Sequence, residues 1–378
     1  MKKILIYDTT IIGHHLEYLH HIYEHFVKEK VELYFVLSKI FEDYKHQFSW
    51  TESKNVYIHF LSELEYANVS KHSYFSSAWN NARVIGKYAK RFNIDYIYLI
   101  ELIQPYPFLP FFIPTKCRVC GIIYRLYLYK WEQASFIVRI KDTIETFSMV
   151  YSDCTHRIQL LNDSSAVAYY NRKFHTKKFS LIIDPIVPIS YKSKNIRANL
   201  SIPDNFDVFL HMGGMQRRKG TLKILEAISM LEKENLKNKV FIFAGLVSNE
   251  IKEEFYTRYN QLKDKTRIII FDDILPYEQL GDLCETSDYV VLPYDNYDYS
   301  SGVIGYASQF GKCVIGPSRG ILGKLIKRYN MGVVIDLNVS ALASIIKNPP
   351  KIKMYRNKYA VNNSVEKFVK CIERDLMN

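Results

Sequence analysis

Short apolar runs alternate with longer amphipathic stretches along the chain. The first run, residues 3–8, is typical of a buried strand, and Leu16, Leu19, Tyr23 and Phe26 then recur at helical spacing. Further strands are predicted at residues 31–37, 56–60, 95–100, 118–123 and 158–162, with helices at 76–92 and 132–150. This alternation of strands and helices predicts an α/β fold with a parallel, doubly wound sheet.

A polar, proline-marked stretch interrupts this pattern. Residues 179–188, FSLIIDPIVP, lead into KSKNIRANLSIPDN, which has little periodicity and is typical of a linker. A second series of strands is predicted at residues 206–211, 240–244, 267–271, 289–292, 313–315 and 333–335. The chain therefore predicts two Rossmann-like domains that face a cleft.

The last segment has one apolar helical face, formed by Val365, Phe368, Val369, Ile372 and Leu376. We expect this helix to cross back and dock on the first domain. The predicted domains are an N-terminal acceptor domain, a C-terminal donor domain and the C-terminal helical segment, at residues 1–187, 188–352 and 353–378.

Length and charge agree with this organisation. A chain of 378 residues is long enough for two cores, and a net charge of +12 favours acidic partners such as nucleotides or phospholipid surfaces. The basic residues are scattered, so no nucleic-acid partner is expected. No apolar run reaches the roughly 20 residues of a membrane span, and no signal peptide is recognisable. We expect a cytoplasmic protein whose six cysteines are buried free thiols.

The stretch YVVLPYDNYDYSSGVIGYASQFGKCVIG, residues 289–316, carries the first candidate chemistry. A buried strand opens into a polar loop, and Ser300, Ser301 and Gly302 then stand at the predicted start of a helix. Helix starts offer unpaired N–H groups and a positive dipole end, which suit a phosphate. The alternative is that a serine is only an ordinary helix cap.

A second anion-friendly turn follows the first strand of the second domain. Gly213 and Gly214 permit a sharp turn, and Arg217, Arg218 and Lys219 then precede a helix. A glycine turn, a basic cluster and a helix start together fit a diphosphate, although a solvated basic turn is the alternative.

The first domain contributes polar groups at predicted strand ends. His14 and His15 begin the first helix after Gly13, and Glu101 and Gln104 follow the strand that ends at Ile100. These groups are candidates for acceptor binding. The segment ELIQPYPFLPFFIP, residues 101–114, contains four prolines and is predicted to be an apolar loop, which either binds an acceptor or membrane or packs inside the domain.

Carboxylate and imidazole groups also recur four residues apart on the first predicted helix, at Glu17, His21 and His25. We interpret these residues as an ordinary solvated helix face rather than as a metal site.

These motifs resemble those of GT-B glycosyltransferases of the family 4 type, which use nucleotide-sugar donors. The resemblance is clearest in residues 207–336. It rests on Gly213-x5-Lys219-Gly220, on FIFAG at 241–245, on RIIIFDDILPYEQLGDLCETSDYVVLPY at 267–294, on the serine–glycine stretch, and on GVVID at 332–336. IIDPI at 182–186 looks like the usual crossing between domains.

The resemblance implies a role for each matching position. Lys219 would bind the donor diphosphate and stabilise the leaving group, and the amides of Ser300, Ser301 and Gly302 would hold the same diphosphate. The backbone near Asp273 and Ile274 would meet the nucleobase, and Gly13 would lie beside the phosphates.

Two departures from the family pattern stand out. The arginine of the family falls on Gly214, so Arg217 or Arg218 would have to substitute for it. The two glutamates of the family, which bind sugar and ribose, fall on Asp298 and Tyr306.

The expected function is retaining transfer of a sugar from a nucleotide-diphosphate donor to a glycan or lipid-linked acceptor, in cell-surface polysaccharide synthesis. The resemblance implies attack assisted by the leaving phosphate, without a metal or other cofactor. Peripheral contact with the inner face of the membrane is a further expectation. Two alternatives remain open: a GT-B partner protein that binds nucleotide without catalysis, and a nucleotide-sugar epimerase of the same fold.

Overall fold

The computed structural model describes residues 1–10, 14–43, 50, 54–71, 73–124, 131, 134–189, 196–295, 300–352 and 358–377. The chain divides into two compact units, Met1–Asp184 with Val365–Asn378, and Pro185–Ser364. The divisions predicted from the sequence lie after residues 187 and 352.

The elements are numbered here in chain order. The strands are β1 Lys2–Asp8, β2 Val31–Leu37, β3 Val56–Phe60, β4 Tyr96–Leu99, β5 Arg118–Ile123, β6 Thr155–Leu161, β7 Phe179–Ile182, β8 Asp207–Met212, β9 Lys239–Ala244, β10 Arg267–Phe271, β11 Tyr289–Val291, β12 Cys313–Pro317 and β13 Gly332–Ile335. The helices are α1 His15–Phe26, α2 Glu63–Val69, α3 Tyr74–Arg91, α4 Phe136–Tyr151, α5 Ser164–Lys173, α6 Ile196–Asn199, α7 Thr221–Ser229, α8 Lys233–Leu236, α9 Lys252–Leu262, α10 Tyr277–Thr286, α11 Val303–Phe310, α12 Gly320–Arg328, α13 Val339–Lys347, α14 Lys358–Asn362 and α15 Val365–Met377.

Each unit is built on one parallel sheet. The first has the strand order β3-β2-β1-β4-β5-β6-β7, and the second has the order β10-β9-β8-β11-β12-β13. The strand order of both sheets reverses once, between β1 and β4 and between β8 and β11. The strands are almost continuous apolar runs because helices cover both faces of a doubly wound sheet. The predicted fold class, two Rossmann-like α/β domains, is confirmed.

The C-terminal helix α15 belongs to the core of the first unit. Phe368, Val369, Ile372 and Leu376 are buried among the side chains of α1 and of the sheet. Asp375 fixes the helix further, since its carboxylate accepts hydrogen bonds from Gln159 Nε2 at 2.9 Å and Ser180 Oγ at 2.6 Å.

The proline-rich segment 101–114 packs mainly inside the first unit. Leu102, Tyr106 and Leu109 are fully buried, and the Tyr106 hydroxyl lies 2.6 Å from Thr155 Oγ1. Phe111, in contrast, is 77% exposed. Most of this segment therefore packs inside the first unit, which agrees with the second of the two interpretations.

Helix α4 turns a carboxylate into the protein interior. Glu145 is 1% exposed, neither of its oxygens has a hydrogen-bond partner among the described residues, and Lys141 Nζ lies 3.6 Å from Oε1. Burial raises the pKa of Glu145 to about 8. Because this pKa lies above that of the unfolded chain, the ionised form opposes folding. The protonated carboxyl group stabilises the folded state fully below about pH 4.5. This contribution to the free energy of unfolding is lost as the pH rises to about 8.

We therefore expect Glu145→Met to raise the free energy of unfolding at neutral pH by about 2 kcal/mol, because it removes a buried carboxylate and keeps a long side chain. Denaturant unfolding at several pH values measures this. The gain should shrink near pH 4, where Glu145 is protonated, and a loss of stability at neutral pH would contradict the inward placement of Glu145.

Candidate functional site

The carboxyl edge of the second sheet brings together the two turns that follow β8 and β11. These strands are neighbours, with Val290 paired to Leu210, and they flank the point where the strand order reverses. Ligands of doubly wound sheets bind at this position.

Close backbone contacts hold the two turns against each other. Gly220 has φ +68°, and a β-carbon at this position would lie 2.0 Å from the carbonyl oxygen of Pro293. The amide of Asp295 donates to the carbonyl of Arg218 at 3.0 Å, and the Asp295 carboxylate pairs with the Lys223 ammonium group. The turn that carries Lys219 is therefore fixed against the exit of β11.

Lys219 points its ammonium group into this junction. Its Nζ would lie 3.3 Å from a β-carbon on Gly213, and it lies 5.7 Å from the centroid of the buried Tyr294 ring. The same position on Gly213 is 3.7 Å from Val303 Cγ2, at the start of α11. Burial, together with the charge of Arg218, lowers the pKa of Lys219 to about 8. A cation held in such a place is arranged to meet an anion.

The start of α11 offers donors beside that cation. Ser301 is buried, and its Oγ accepts a hydrogen bond from the Val303 amide at 3.3 Å and lies 3.2 Å from the Tyr294 hydroxyl. The N-cap of α11 is Gly302, which has no side-chain cap, and the Ser301 hydroxyl meets the amide of the residue after it, Val303. Among the described residues, the amides of Ser301 and Gly302 donate to no protein atom, so both remain available to a bound anion.

The two arginines of the cluster are exposed, unlike the Lys219 ammonium group. Arg217 is directed to α9, where its Nη2 lies 2.9 Å from Glu254 Oε2, and its amide donates to Glu250. Arg218 is exposed. The ammonium group at the junction of the two turns is thus that of Lys219.

The remaining predicted donor residues are spread along the same sheet edge. Asp273 and Ile274 follow the edge strand β10 and are exposed, with the Ile274 amide donating to Asp273 Oδ1 at 2.7 Å. Gly214 follows Gly213 directly, and Tyr306 lies half-buried on α11. Gly13 and Asp298 lie outside the described residues.

The first unit gathers a separate polar cluster where its own strand order reverses. His15 Nδ1 lies 2.7 Å from the buried carboxylate of Asp8, and the His15 ring stacks on Tyr124 at 5.4 Å. Burial lowers the pKa of His15, but the hydrogen bond and charge of Asp8, with the charge of Glu101, raise it more, so its net shift is upward. The pair can hold or accept a proton at Nε2.

The other residues predicted on the acceptor side lie near this pair. Gln104 Nε2 donates to Thr9 Oγ1 at 2.9 Å, which ties the end of β4 to the end of β1. His14 is more exposed, and its Nδ1 lies 3.4 Å from Glu17. Elsewhere on α1, His25 pairs with Glu373 of α15 at 3.1 Å, and His21 packs on Phe368.

Sequence reasoning missed several residues that shape both clusters. His211 is buried beneath the Lys219 turn, with Nδ1 2.9 Å from the Val291 carbonyl and Nε2 2.9 Å from Thr221 Oγ1. Burial lowers its pKa to about 4, so the ring is neutral and links β11 to the start of α7. Asp8 and Tyr124 were also missed. Only Asp8 had a signal in the sequence, because it is a charged residue at the end of an apolar strand.

Comparison with known proteins gives a family match within the second unit and solved structures of the same fold. Residues 192–362 match the family described as glycosyl transferases group 1. The fold resembles that of HepE from Anabaena in complex with UDP and glucose, with a TM-score of 0.70, 14% identity, and 100% of this chain and 99% of that chain covered. No curated protein sequence matches.

Two further solved structures share the fold over their length. WaaG, a glycosyltransferase involved in lipopolysaccharide biosynthesis, has a TM-score of 0.69 and 14% identity, with 100% of each chain covered. Sucrose-phosphate synthase from Thermosynechococcus elongatus has a TM-score of 0.65 and 14% identity, with 100% of this chain and 95% of that chain covered.

The fold is that of the GT-B glycosyltransferases, and residues 192–362 match the group 1 glycosyl transferases. Within that class, its second unit resembles the group 1 enzymes, as the motifs predicted.

Proposed function

We propose that the chain is a retaining glycosyltransferase that takes a sugar from a nucleotide-diphosphate donor and needs no metal. The observation that carries this proposal is the junction of Lys219 with the free amides of Ser301 and Gly302. Departure of a nucleoside diphosphate places negative charge on its outer phosphate, and fixed donors and cations lower the cost of that charge. HepE, which shares the fold, is known in complexes with UDP and with UDP-glucose.

We assign the donor to the second unit and the acceptor to the first. The nucleobase would lie along the edge beyond β10, near Asp273 and Ile274, and Tyr306 would take part of the role of a family glutamate. On the first unit, the pair of His15 and Asp8 would orient an acceptor hydroxyl. We place the reaction at the inner face of the membrane, with a glycan or lipid-linked acceptor of cell-surface polysaccharide.

A ligand screen tests the donor proposal. We expect UDP and UDP-sugars to raise the melting temperature more than free sugars do. A ligand that binds only the folded state stabilises that state. Transfer assayed with a chelating agent present should continue, and the product should keep the anomeric configuration of the donor. Inversion, or activity that a chelator abolishes, would contradict the proposed mechanism.

One observation favours a second candidate, a partner protein that binds nucleotide without catalysis. Arg217, one of the two residues that could replace the arginine missing at Gly214, is paired with Glu254, and the other, Arg218, is exposed. Tight UDP binding without transfer or hydrolysis of any UDP-sugar would support this candidate over the first.

The depressed pKa of Lys219 gives a pH test of the site. Below pH 8 the ammonium form is present, and above it the charge is lost. We therefore expect the affinity for UDP to fall as the pH rises from about 7 to about 9, measured by calorimetry. Lys219→Arg keeps its charge throughout and serves as the control. An equal pH response in both proteins would contradict the role of Lys219.

A further inference from the structure

Helix α4 exposes an apolar stripe along its full length. Six of its residues are 45–78% exposed, namely Phe136, Ile137, Ile140, Ile144, Phe147 and Tyr151. At 100° per residue these positions fall within about 100° of one another around the helix axis, so they form one continuous face, which we call the α4 stripe. At 1.5 Å per residue the stripe is about 23 Å long.

The buried face of the same helix combines a carboxylate with two apolar side chains, Met149 and Val150, which are 1% and 3% exposed. It carries Glu145, and the hydroxyls of Thr143 and Thr146 bond to carbonyls of their own helix at 2.7 Å. A surface helix of a soluble domain normally keeps its apolar side chains on the inward face, whereas α4 has apolar side chains on both faces. A contiguous exposed apolar face of this kind indicates an interaction surface.

Cations border the α4 stripe on both sides. On the helix, Arg139 and Lys141 lie on opposite flanks of the stripe, and Lys141 Nζ lies 3.7 Å from the centroid of the Tyr74 ring. At the far end, Phe147 packs against Phe174, whose ring is approached by Lys173 Nζ. The cluster at Arg172, Lys173 and Lys177 continues from there and is exposed.

Exposed tryptophan rings lie in the same part of the first unit. Trp131 is 39% exposed and stacks with the Arg139 guanidinium at 5.3 Å. Trp79 is 45% exposed and contacts Phe108 of the proline-rich segment, to which α4 is joined by a hydrogen bond from Ser148 to the Pro107 carbonyl. Tryptophan is favoured where an apolar surface meets water.

We propose that the α4 stripe lies in the interface of an anionic phospholipid bilayer, with the helix parallel to the membrane plane. An apolar face with cations on both flanks fits this environment, since the face enters the acyl boundary while the cations meet lipid phosphates. None of the described helices has the length and apolar character needed to cross a bilayer. This inference rests on the membrane location proposed above, to which it adds the surface that makes the contact.

Vesicle sedimentation with two matched double variants tests this proposal. Ile140→Glu with Ile144→Glu alters the stripe, whereas Leu64→Glu with Met230→Glu alters two exposed apolar residues elsewhere, so the net charge change is the same. We expect the wild type and the second variant to bind vesicles of phosphatidylglycerol and phosphatidylcholine. The stripe variant should bind at least about tenfold more weakly. Phosphatidylcholine vesicles, or high salt, should weaken binding of all three.

Three results would overturn the proposal: no binding by the wild type, equal binding by both variants, or a wild-type dimer that the stripe variant dissociates. The last result would assign the stripe to a second copy of the chain. Quenching of wild-type tryptophan fluorescence by brominated lipid is an independent measurement, because Trp79 and Trp131 are exposed and Trp50 is buried. The UDP-induced thermal shift of the stripe variant should stay unchanged. If UDP caused no thermal shift in the wild type, that result would contradict the proposed donor site and not the membrane contact.

Discussion

We expect Lys219→Met to reduce sugar transfer about a hundredfold and to remove the thermal shift caused by UDP. The reason is that the ammonium group is the cation at the junction of the two turns, and loss of one fixed donor to a leaving group has an effect of this size. The measurement is kcat with a saturating UDP-sugar, together with the affinity for UDP.

The same variant should be more stable than the wild type when no ligand is bound. The pKa of Lys219 in the folded protein lies below its ordinary value of 10.5, so its protonated form opposes folding and the cost is complete below about pH 8. Methionine removes that charge, and we expect a gain of about 2 kcal/mol at neutral pH. Higher stability with lower activity separates a binding role from a structural one.

Lys237→Met is the matched control, since Lys237 is exposed and pairs with Glu234 outside the site. It should change neither turnover nor UDP affinity. A Lys219→Met enzyme with wild-type turnover would remove the basis of the proposed site.

We expect Gly220→Ala to destabilise the turn that carries Lys219. Gly220 combines a left-handed backbone with a position where a β-carbon would lie 2.0 Å from the Pro293 carbonyl, so either the turn or the exit of β11 must move. We expect a loss of about 2–4 kcal/mol in the free energy of unfolding and weaker binding of UDP, because Lys219 is the preceding residue.

Gly214→Ala provides the stability control for this variant. The nearest atom to a β-carbon at Gly214 is Gln216 Nε2 at 3.9 Å, so the space is open. Its stability should stay within about 0.5 kcal/mol of the wild type. If both alanine variants melted at the same temperature, the close approach at Gly220 would not be a feature of the folded protein.

The sheets were predictable because a strand buried on both faces is a continuous apolar run. The bounds 31–37, 56–60, 118–123 and 267–271 agree with the structure, and this reason applies to β2 and β5, which are almost fully buried. Strand β6 begins at Thr155, three residues earlier than predicted, because Thr155, His156 and Arg157 are polar in sequence. In the structure, Thr155 and Arg157 pair with β5, and Thr155 Oγ1 also contacts the Tyr106 hydroxyl, so the strand includes these residues.

The site was predictable only as far as local sequence determines it. Glycine turns and helix starts indicated Lys219 and Ser301, because a strand end places such groups at one sheet edge. The partner of Arg217 lies 37 residues further along the chain, at Glu254, and no local pattern predicts that contact. The pairing of His15 with Asp8 depends in the same way on tertiary structure.

Helix α4 shows another limit. The sequence indicates a helix at residues 132–150, but periodicity alone does not say which face turns inward. The burial of Glu145 and the exposure of the apolar stripe follow from packing against the proline-rich segment and β6.

A crystal structure of the protein soaked with UDP tests the central claim most directly. We expect the outer phosphate to lie within hydrogen-bond distance of Lys219 Nζ and of the amides of Ser301 and Gly302. A bound nucleotide whose phosphates contact neither the turn after β8 nor the start of α11 would contradict it.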